Sequence, residues 1–225
     1  SSFFLPLDRI ERVLELIQKN QSITRGTLQT EFTQLTFDEL KRLGLTSAME
    51  SLFRGQGNDT DGMLVVHRVI KESPIEQYLQ PGDILLTVDE ILIADFISLA
   101  EILDQKVNEK INVEVERGGK NISFMVDVTN LHDITPSSYL SFGDAIFNNF
   151  SYQQARHYNR SLEGVYVADP GYSLSRSAIP AGAVIFEIDG KSITTIEDLQ
   201  NYLSQLTHQN KMNVRFVKFS DPINS

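Results

Sequence analysis

The residues best able to carry out acid–base or metal chemistry in this chain are its four histidines: His67, His132, His157 and His208. None of them has the His-Glu-x-x-His spacing that places two zinc ligands on one helix face. No Gly-x-Ser-x-Gly sequence marks a nucleophile elbow, and no Ser, His and Asp are spaced as a recognisable triad. Cysteine is absent, which excludes thiol nucleophiles and thiolate metal sites. The sequence therefore predicts that this chain is not itself an enzyme and has no catalytic residue.

A glycine- and aspartate-rich stretch is the other place to look for a cofactor or metal site. Gly55-Gln56-Gly57 is similar to part of a dinucleotide-binding loop, but it lacks the third glycine and does not join a strand to a helix. Asp59 and Asp61 could suggest calcium, but the Glu that ends an EF-type loop is missing. We interpret the stretch as a plain loop and expect no cofactor and no metal.

The chemistry that remains is recognition through backbone groups. Two stretches, residues 23–30 and 139–143, each place a small residue in a turn just before a predicted edge strand. Converging N–H groups in such a turn can hold a carboxylate, and the adjoining strand edge can accept an extended peptide. A nearby helix would supply a pocket for the last side chain of that peptide. The alternative, from these residues alone, is that both stretches are simple strand starts.

The elements that would position these stretches occur twice. Pro81-Gly82-Asp83-Ile84-Leu85 is matched one hundred positions later, without a gap, by Ala181-Gly182-Ala183-Val184-Ile185. Upstream, a glycine followed by a short apolar strand occurs in both copies, and downstream a helical pattern and another strand follow. Four matching elements in one order indicate duplication of a small β-rich module. The first copy adds a hairpin at residues 117–120, which the second copy lacks.

Three further segments complete the predicted organisation. An apolar stripe with helical spacing predicts a helix over about residues 8–20. An insert over about residues 33–61 is predicted to form helices near 37–43 and 48–53, and these helices could cover a groove in the first module. Residues 131–136 join the two modules, and because this linker is short we expect the modules to touch.

Charge limits the partners. The 225-residue chain has a formal net charge of −10, which repels phosphate backbones and anionic lipid. No apolar run approaches the roughly 20 residues needed to span a bilayer. We therefore expect no nucleic acid and no membrane among the partners.

The assembled order of turn, edge strand, central strands, groove helix and closing strands resembles a PDZ domain, and Pro81-Gly82-Asp83-Ile84-Leu85 is close to the PDZ core pattern. Because the carboxylate loop comes first, the arrangement is similar to the permuted PDZ domains of HtrA/DegP-type serine proteases. Several stretches also resemble the fungal nuclear HtrA-like proteases, which are described as pro-apoptotic: residues 3–8, 23–31, 37–45, 131–136 and 151–156.

This resemblance implies an α+β fold of two PDZ-like small β-barrels or sandwiches capped by helices, in tandem with HtrA-type permuted topology and preceded by a linker helix. It implies that residues 1–21 are the end of a protease domain and the linker helix, with residues 22–130 and 131–221 as the two modules. It also implies a nuclear and cytoplasmic location and roles in protein quality control and apoptosis. The family's catalytic His, Asp and Ser have no counterpart here, so the parent protein would be the endopeptidase.

In the first module the resemblance implies a peptide groove in which Arg25 steers or pairs the ligand carboxylate and neighbouring N–H groups hold it. The candidate residues of this groove are Arg25, Gly26, Thr27, Leu28, Thr30, Phe32, Leu99 and Ile102. The second module offers a weaker site, because the carboxylate of Asp144 would repel a peptide terminus. Its candidate residues are Tyr139, Leu140, Ser141, Phe142, Leu199 and Tyr202.

The expected partners are protein C-termini or extended peptides and the parent's own protease domain, with a homo-oligomer possible through the parent protein. The predicted function is peptide binding that positions substrate or controls the upstream protease. The alternative is structural: the pair docks on its own protease or on another subunit, and neither groove binds free peptide.

Overall fold

The computed structural model describes residues 8–55, 61–206 and 211–219. One helix precedes the first module, and the elements up to the end of that module are α1 (Asp8–Gln18), β1 (Gly26–Thr27), β2 (Thr30–Thr36), α2 (Phe37–Leu43), α3 (Ser47–Gly55), β3 (Gly62–Val69), β4 (Ile84–Val88), β5 (Ile91–Leu92), α4 (Phe96–Gln105), β6 (Lys110–Arg117), β7 (Lys120–Asp127) and β8 (Thr129–Asn130). The second module has a shorter set of elements, β9 (Leu140–Phe142), β10 (Ala145–Asn149), α5 (Tyr152–Tyr158), β11 (Val165–Asp169), α6 (Gly171–Arg176), β12 (Ala183–Ile188), β13 (Lys191–Ser192), α7 (Ile196–Ser204) and β14 (Val214–Lys218). No helix in these described ranges is long and apolar enough to cross a membrane.

The first module is built on an antiparallel sheet with two buried faces. Its strand order is β2-β3-β4-β6-β7, with β5 beside β4, while β1 pairs separately with β8. Leu64, Leu85 and Val113 point to the face that α4 covers, where they are fully buried. Their neighbours Val65 and Ile84 belong to a second buried cluster. Because successive side chains of a strand alternate between faces, the sheet separates these two cores.

The insert covers the face of the sheet opposite α4. Strand β2 continues to Thr36, so the first residues of the predicted helical insert are strand. Thr36 then begins α2 through a capping box with Glu39, in which each side chain accepts a hydrogen bond from the other's backbone N–H. The insert's buried side chains in the second core are Phe37, Leu40, Leu45 and Phe53. The two predicted helices are confirmed, and they stabilise the back of the sheet.

The hydrogen bonds of the second module confirm the duplication. The Asn112 N–H donates to Oδ1 of Asp89 at 2.8 Å, and the Asn213 N–H donates to Oδ1 of Asp189 at the same distance. The second sheet has the order β13-β12-β11-β10-β9, and β14 pairs with β12 as β6 pairs with β4. In the described part of the chain no strand corresponds to β7. A closing strand would have to follow β14, and residues 220–225 lie outside the described range, so the predicted loss of the closing hairpin stays a prediction.

The two modules are in contact along an apolar seam. Ile70, which follows β3, is buried in one cluster with Phe150, Tyr152 and Val184 of the second module. The linker packs into the same cluster through Leu131 and Ile134. The expectation that the modules touch is confirmed, and the linker is part of the interface.

A nearly buried ion pair fixes the turn before β4 in the first module. Arg117 donates from Nε to Oδ1 of Asp83 at 2.6 Å and from Nη2 to Oδ2 at 2.7 Å, and Asp83 is only 1% exposed. The predicted hairpin after Arg117 is confirmed, since Arg117 pairs with Lys120 across two glycines of positive φ. The second module has Ala183 at the position of Asp83 and so needs no such pair.

We expect Arg117→Met to lower the free energy of unfolding of the first module by about 3 kcal/mol, because it leaves the Asp83 carboxylate buried without its partner. Lys110→Met is the matched control, because Lys110 also lies on β6 and forms an exposed 2.7 Å ion pair with Asp127 of β7. That change should cost less than about 1 kcal/mol. Urea unfolding of both variants measures the difference, and equal losses would contradict this account of the pair.

Candidate functional site: a groove between β2 and α4

A groove of about 250 Å³ lies between β2 and α4 of the first module. Six of the sequence-predicted residues line it: Gly26, Thr27, Leu28, Thr30, Phe32 and Leu99. Five residues that the sequence analysis did not select also line it: Glu31, Phe96, Ala100, Leu103 and Arg156. No described residue of α2 or α3 lines the groove, so the expectation that the insert could cover it is wrong for those residues.

The groove wall on α4 is a stripe at helical spacing. Phe96, Leu99, Ala100 and Leu103 follow one another at i, i+3, i+4 and i+7, and therefore share one face of the helix. Asp95 fixes the start of this helix by accepting hydrogen bonds from the N–H groups of the first turn. The predicted groove residue Ile102 does not line the groove, because the helix turns it to the flank, where it packs partly buried on the core.

The opposite wall is a strand with one unpaired edge. Strand β2 pairs with β3 on one side, and in the described residues no strand pairs with its other side. Phe32 packs toward the core that α4 covers. Edge N–H and C=O groups can pair with an added strand, so this edge can accept an extended chain beside the apolar stripe.

The turn before β2 uses two of its N–H groups internally. The Gly26 N–H donates to Oδ1 of Asp104 at 2.8 Å, and the Gln29 N–H donates to Oγ1 of Thr27 at 2.9 Å. Gln29 has φ = +52° and is held there by a side-chain hydrogen bond to Thr129. The Gly26 N–H was expected to hold a ligand carboxylate, and the structure gives it to Asp104 instead.

Asp104, only 5% exposed at the end of α4, joins the turn to the linker helix. Arg12 of α1 donates to its Oδ2 at 3.1 Å, and Arg25 lies 3.9 Å from the same oxygen. The guanidinium of Arg12 also donates to the Asp104 carbonyl oxygen at 2.8 Å. Arg25 was expected to pair with a ligand carboxylate, but it faces this internal carboxylate. The Asp104 cluster therefore connects α1, the turn and the groove helix.

Charged groups from both modules meet at the other end of the groove. Arg156, on α5 of the second module, donates from Nη2 to Oε1 of Glu31 at 2.8 Å. Arg68 donates from Nη1 to the Arg156 carbonyl oxygen at 2.8 Å. The hydrogen bond from Arg156 lowers the pKa of the Glu31 carboxyl below its usual value, and the charges of Arg68 and His67 lower it further against the opposing effect of burial.

The corresponding sheet edge of the second module is occupied. Strand β10 pairs with β11 as β2 pairs with β3, and the other side of β10 pairs antiparallel with β9, from Leu140 opposite Phe147 to Phe142 opposite Ala145. The Leu140 side chain packs on the module's core. The segment predicted to form a binding loop is therefore a strand that fills the position open in the first module.

Beneath the β9–β10 turn lies an apolar pocket of about 210 Å³ that Phe142, Leu199 and Leu203 help to line. The predicted residues Tyr139, Leu140, Ser141 and Tyr202 do not line it. Tyr139 is exposed, Ser141 lies in the middle of β9, and the Tyr202 hydroxyl donates to Asp189 at 2.6 Å.

The carboxylate of Asp144 has an internal partner. It accepts a hydrogen bond of 2.6 Å from the Tyr172 N–H at the start of α6. This hydrogen bond lowers the pKa of Asp144. Asp144 therefore connects α6 to the β9–β10 turn. The repulsion of a peptide terminus by its carboxylate stays a prediction.

Comparison with known families gives two matches along the chain. The PDZ domain family model matches residues 42–128, and the PDZ-like domain family model matches residues 133–209. One falls on each of the two modules seen in the structure.

Curated relatives match almost the whole chain. Protease Do-like 7 of Arabidopsis thaliana is 37% identical, over 98% of this chain and 21% of its own length. Pro-apoptotic serine protease NMA111 of Phaeosphaeria nodorum is 35% identical, over 98% of this chain and 22% of its own length. This chain thus spans about a fifth of these relatives. Among solved structures, HtrA-type protease AlgW with decapeptide matches 56% of this chain and 35% of its own, with 23% identity and a TM-score of 0.42.

The Glu31–Arg156 contact predicts a titration. We expect the Glu31 carboxyl to have a midpoint in an NMR titration below that of Glu in the unfolded chain, and Arg156→Gln to raise it. Because the folded-state pKa is lowered, the contact stabilises the seam above the unfolded-state pKa and is lost as pH falls through the folded-state pKa. Arg215→Gln, which removes an ion pair with Glu187, should leave Glu31 unchanged. A Glu31 midpoint that does not move in Arg156→Gln would contradict the assignment.

Proposed function

Since this chain belongs to the PDZ family, with two PDZ domains in tandem and Do-like serine proteases as relatives, we propose that its first module binds extended peptides or protein C-termini. The bound peptide forms an added strand on β2 and places one apolar side chain against α4. In the parent protein, this binding positions substrate for the protease domain or controls that domain. The chain itself has the PDZ domains of such proteases and not their protease domain.

The observation that carries this proposal is the free edge of β2 beside the apolar stripe of α4. The edge supplies backbone hydrogen bonds to any sequence, and the groove supplies selectivity for the side chains that enter it. Leu28, Leu99 and Leu103 are nearly buried at one end and form a preformed apolar floor. Burial of one Val or Leu side chain there would contribute about 1.5–3 kcal/mol.

The route from groove to protease is the Asp104 cluster. Asp104 lies on the groove helix, holds the turn through the Gly26 N–H, and binds Arg12 of α1. A shift of α4 on peptide binding therefore moves the partner of Arg12. Helix α1 precedes the module, as the linker helix does in the family that the sequence resembles. We propose that this cluster transmits groove occupancy to α1.

The second module favours the alternative, structural function. Its β10 edge is paired by β9, and its helix α5 and strand β12 are buried against the first module and the linker. We propose that it supports the first module and docks on the parent protein, with no free-peptide binding of its own.

Hydrogen exchange on this chain tests both assignments together. With a saturating octapeptide selected from a C-terminal peptide library, we expect amides at residues 30–32 to exchange more slowly, since they gain ladder hydrogen bonds. Amides at residues 140–142 and 145–147 should be unchanged, because β9 and β10 already pair with each other there. Slower exchange confined to β9 and β10 would reverse the assignment, and a library without any saturable binder would leave only the structural function.

Substitution on α4 tests the groove. Phe96 lines the groove and is 47% exposed, whereas its neighbour Ile97 is 42% exposed and does not line it. We expect Phe96→Ser to weaken binding of the selected octapeptide about fivefold by removing apolar contact. Ile97→Ser, the matched control, should change affinity less than about twofold. Fluorescence anisotropy measures both, and equal effects would show that the peptide lies elsewhere.

A further inference from the structure

The groove of the first module has a charged end that belongs partly to the second module. We propose that Arg156 selects peptides with an acidic side chain one or three residues before the residue that enters the apolar pocket. This inference rests on the proposed peptide binding and identifies the class of peptide that the groove prefers.

The length of the groove places Arg156 beside the upstream part of a bound peptide. From Phe96 to Leu103 the α4 stripe is about 10 Å long at 1.5 Å per residue, which matches roughly three residues of extended chain. Leu28 and Leu103 form the pocket end, Phe96 is at the opposite end of the stripe, and Arg156 is placed by its contact with Glu31 of β2. An antiparallel strand on β2, as β9 is on β10, runs toward the pocket end, so its upstream residues pass Arg156.

Alternation along the strand decides which peptide residues meet Arg156. The β2–β3 pairing shifts register between Glu31 and Phe32, but Phe32 is opposite Val66 of the core that α4 covers, whereas Glu31 is opposite Arg68, which is outside that core. Glu31 therefore faces the other side of the sheet. Arg156 binds Glu31 and therefore lies on that side. A peptide residue whose side chain enters the pocket points toward α4. The residues one and three positions before it then point toward Arg156, while the residue two positions before it points toward the helix.

Positive charge is in excess at this end of the groove. Glu31 accepts from Arg156, and Arg68 is its cross-strand neighbour and also contacts the backbone of Arg156. Two guanidinium groups thus surround one carboxylate, in a chain whose net charge is −10. The Arg156 side chain is half exposed, and only Nη2 is used in its contact with Glu31. A guanidinium has five N–H donors, so it can bind a second carboxylate in the same plane.

The test is a peptide array against this 225-residue chain. The peptides are labelled octamers in which seven serines precede one C-terminal apolar anchor, which is Val, Leu, Ile or Phe. Each all-serine peptide is compared with three variants that carry Asp one, two or three residues before the anchor. We expect Asp at one or three residues before the anchor to improve affinity about fivefold over serine, and Asp at two residues before it to give no gain. In Arg156→Gln the affinity ratio of each Asp peptide to the all-serine peptide with the same anchor should fall to about one. Arg215→Gln, which removes the same charge and a similar ion pair elsewhere in the second module, should keep the gain.

Three results would overturn the assignment of Arg156 alone. The first is that all-serine peptides bind while Asp gives no gain at any position, and the second is a gain that survives in Arg156→Gln. A loss of equal size for every peptide in Arg156→Gln would also overturn it, since that is the behaviour of a seam contact without a role in selection. If no peptide of any anchor binds, the proposed peptide binding fails, and the assignment fails with it.

Discussion

Every strand at the edge of a sheet has a row of backbone N–H and C=O groups that must hydrogen-bond to water or to another chain. The two modules meet this requirement in different ways. In the first module, β2 has a free edge beside α4. In the second, β10 occupies the same place in its sheet, but β9 satisfies its edge. Two copies of one fold therefore differ in whether the edge of the equivalent strand is free, through the pairing of three residues of β9.

The cause of this difference lies at the far end of each module. In the first, β7 leads into β8, which pairs with β1 through Gly26 and Thr27 and so holds the turn away from β2. Asp104 strengthens that arrangement by accepting the Gly26 N–H. A Cβ at Gly26 would lie 1.9 Å from the Leu103 carbonyl oxygen, so only glycine allows this approach. In the second module the first strand, β9, pairs directly with β10.

The sequence was sufficient for the fold, because repeated apolar patterns and turn glycines act locally. Duplication, the α+β class, both insert helices and the hairpin after Arg117 all follow from such signals. The site was predicted less completely. The sequence analysis predicts Ile102 and Tyr202 as groove residues, whereas Leu103 and Leu203 line the two pockets. The i, i+3, i+4, i+7 spacing that starts at Phe96 identifies Leu103. The two-residue Gly143-Asp144 loop is a local hairpin signal for the pairing of β9 with β10 that the sequence analysis missed. The position of Arg156 depends on how the two modules meet, and no local pattern encodes that.

The seam between the modules makes the second module part of the groove in the first. Arg156 reaches the groove because α5 is fixed by the buried contacts of Tyr152 and Ala155 with Ile70. Ile70 in turn follows β3, and its N–H donates to the Gln29 carbonyl oxygen in the turn before β2. The turn at one end of the groove and the arginine at the other are thus attached to the same apolar cluster. The second module therefore contributes to the shape and charge of the groove in the first module.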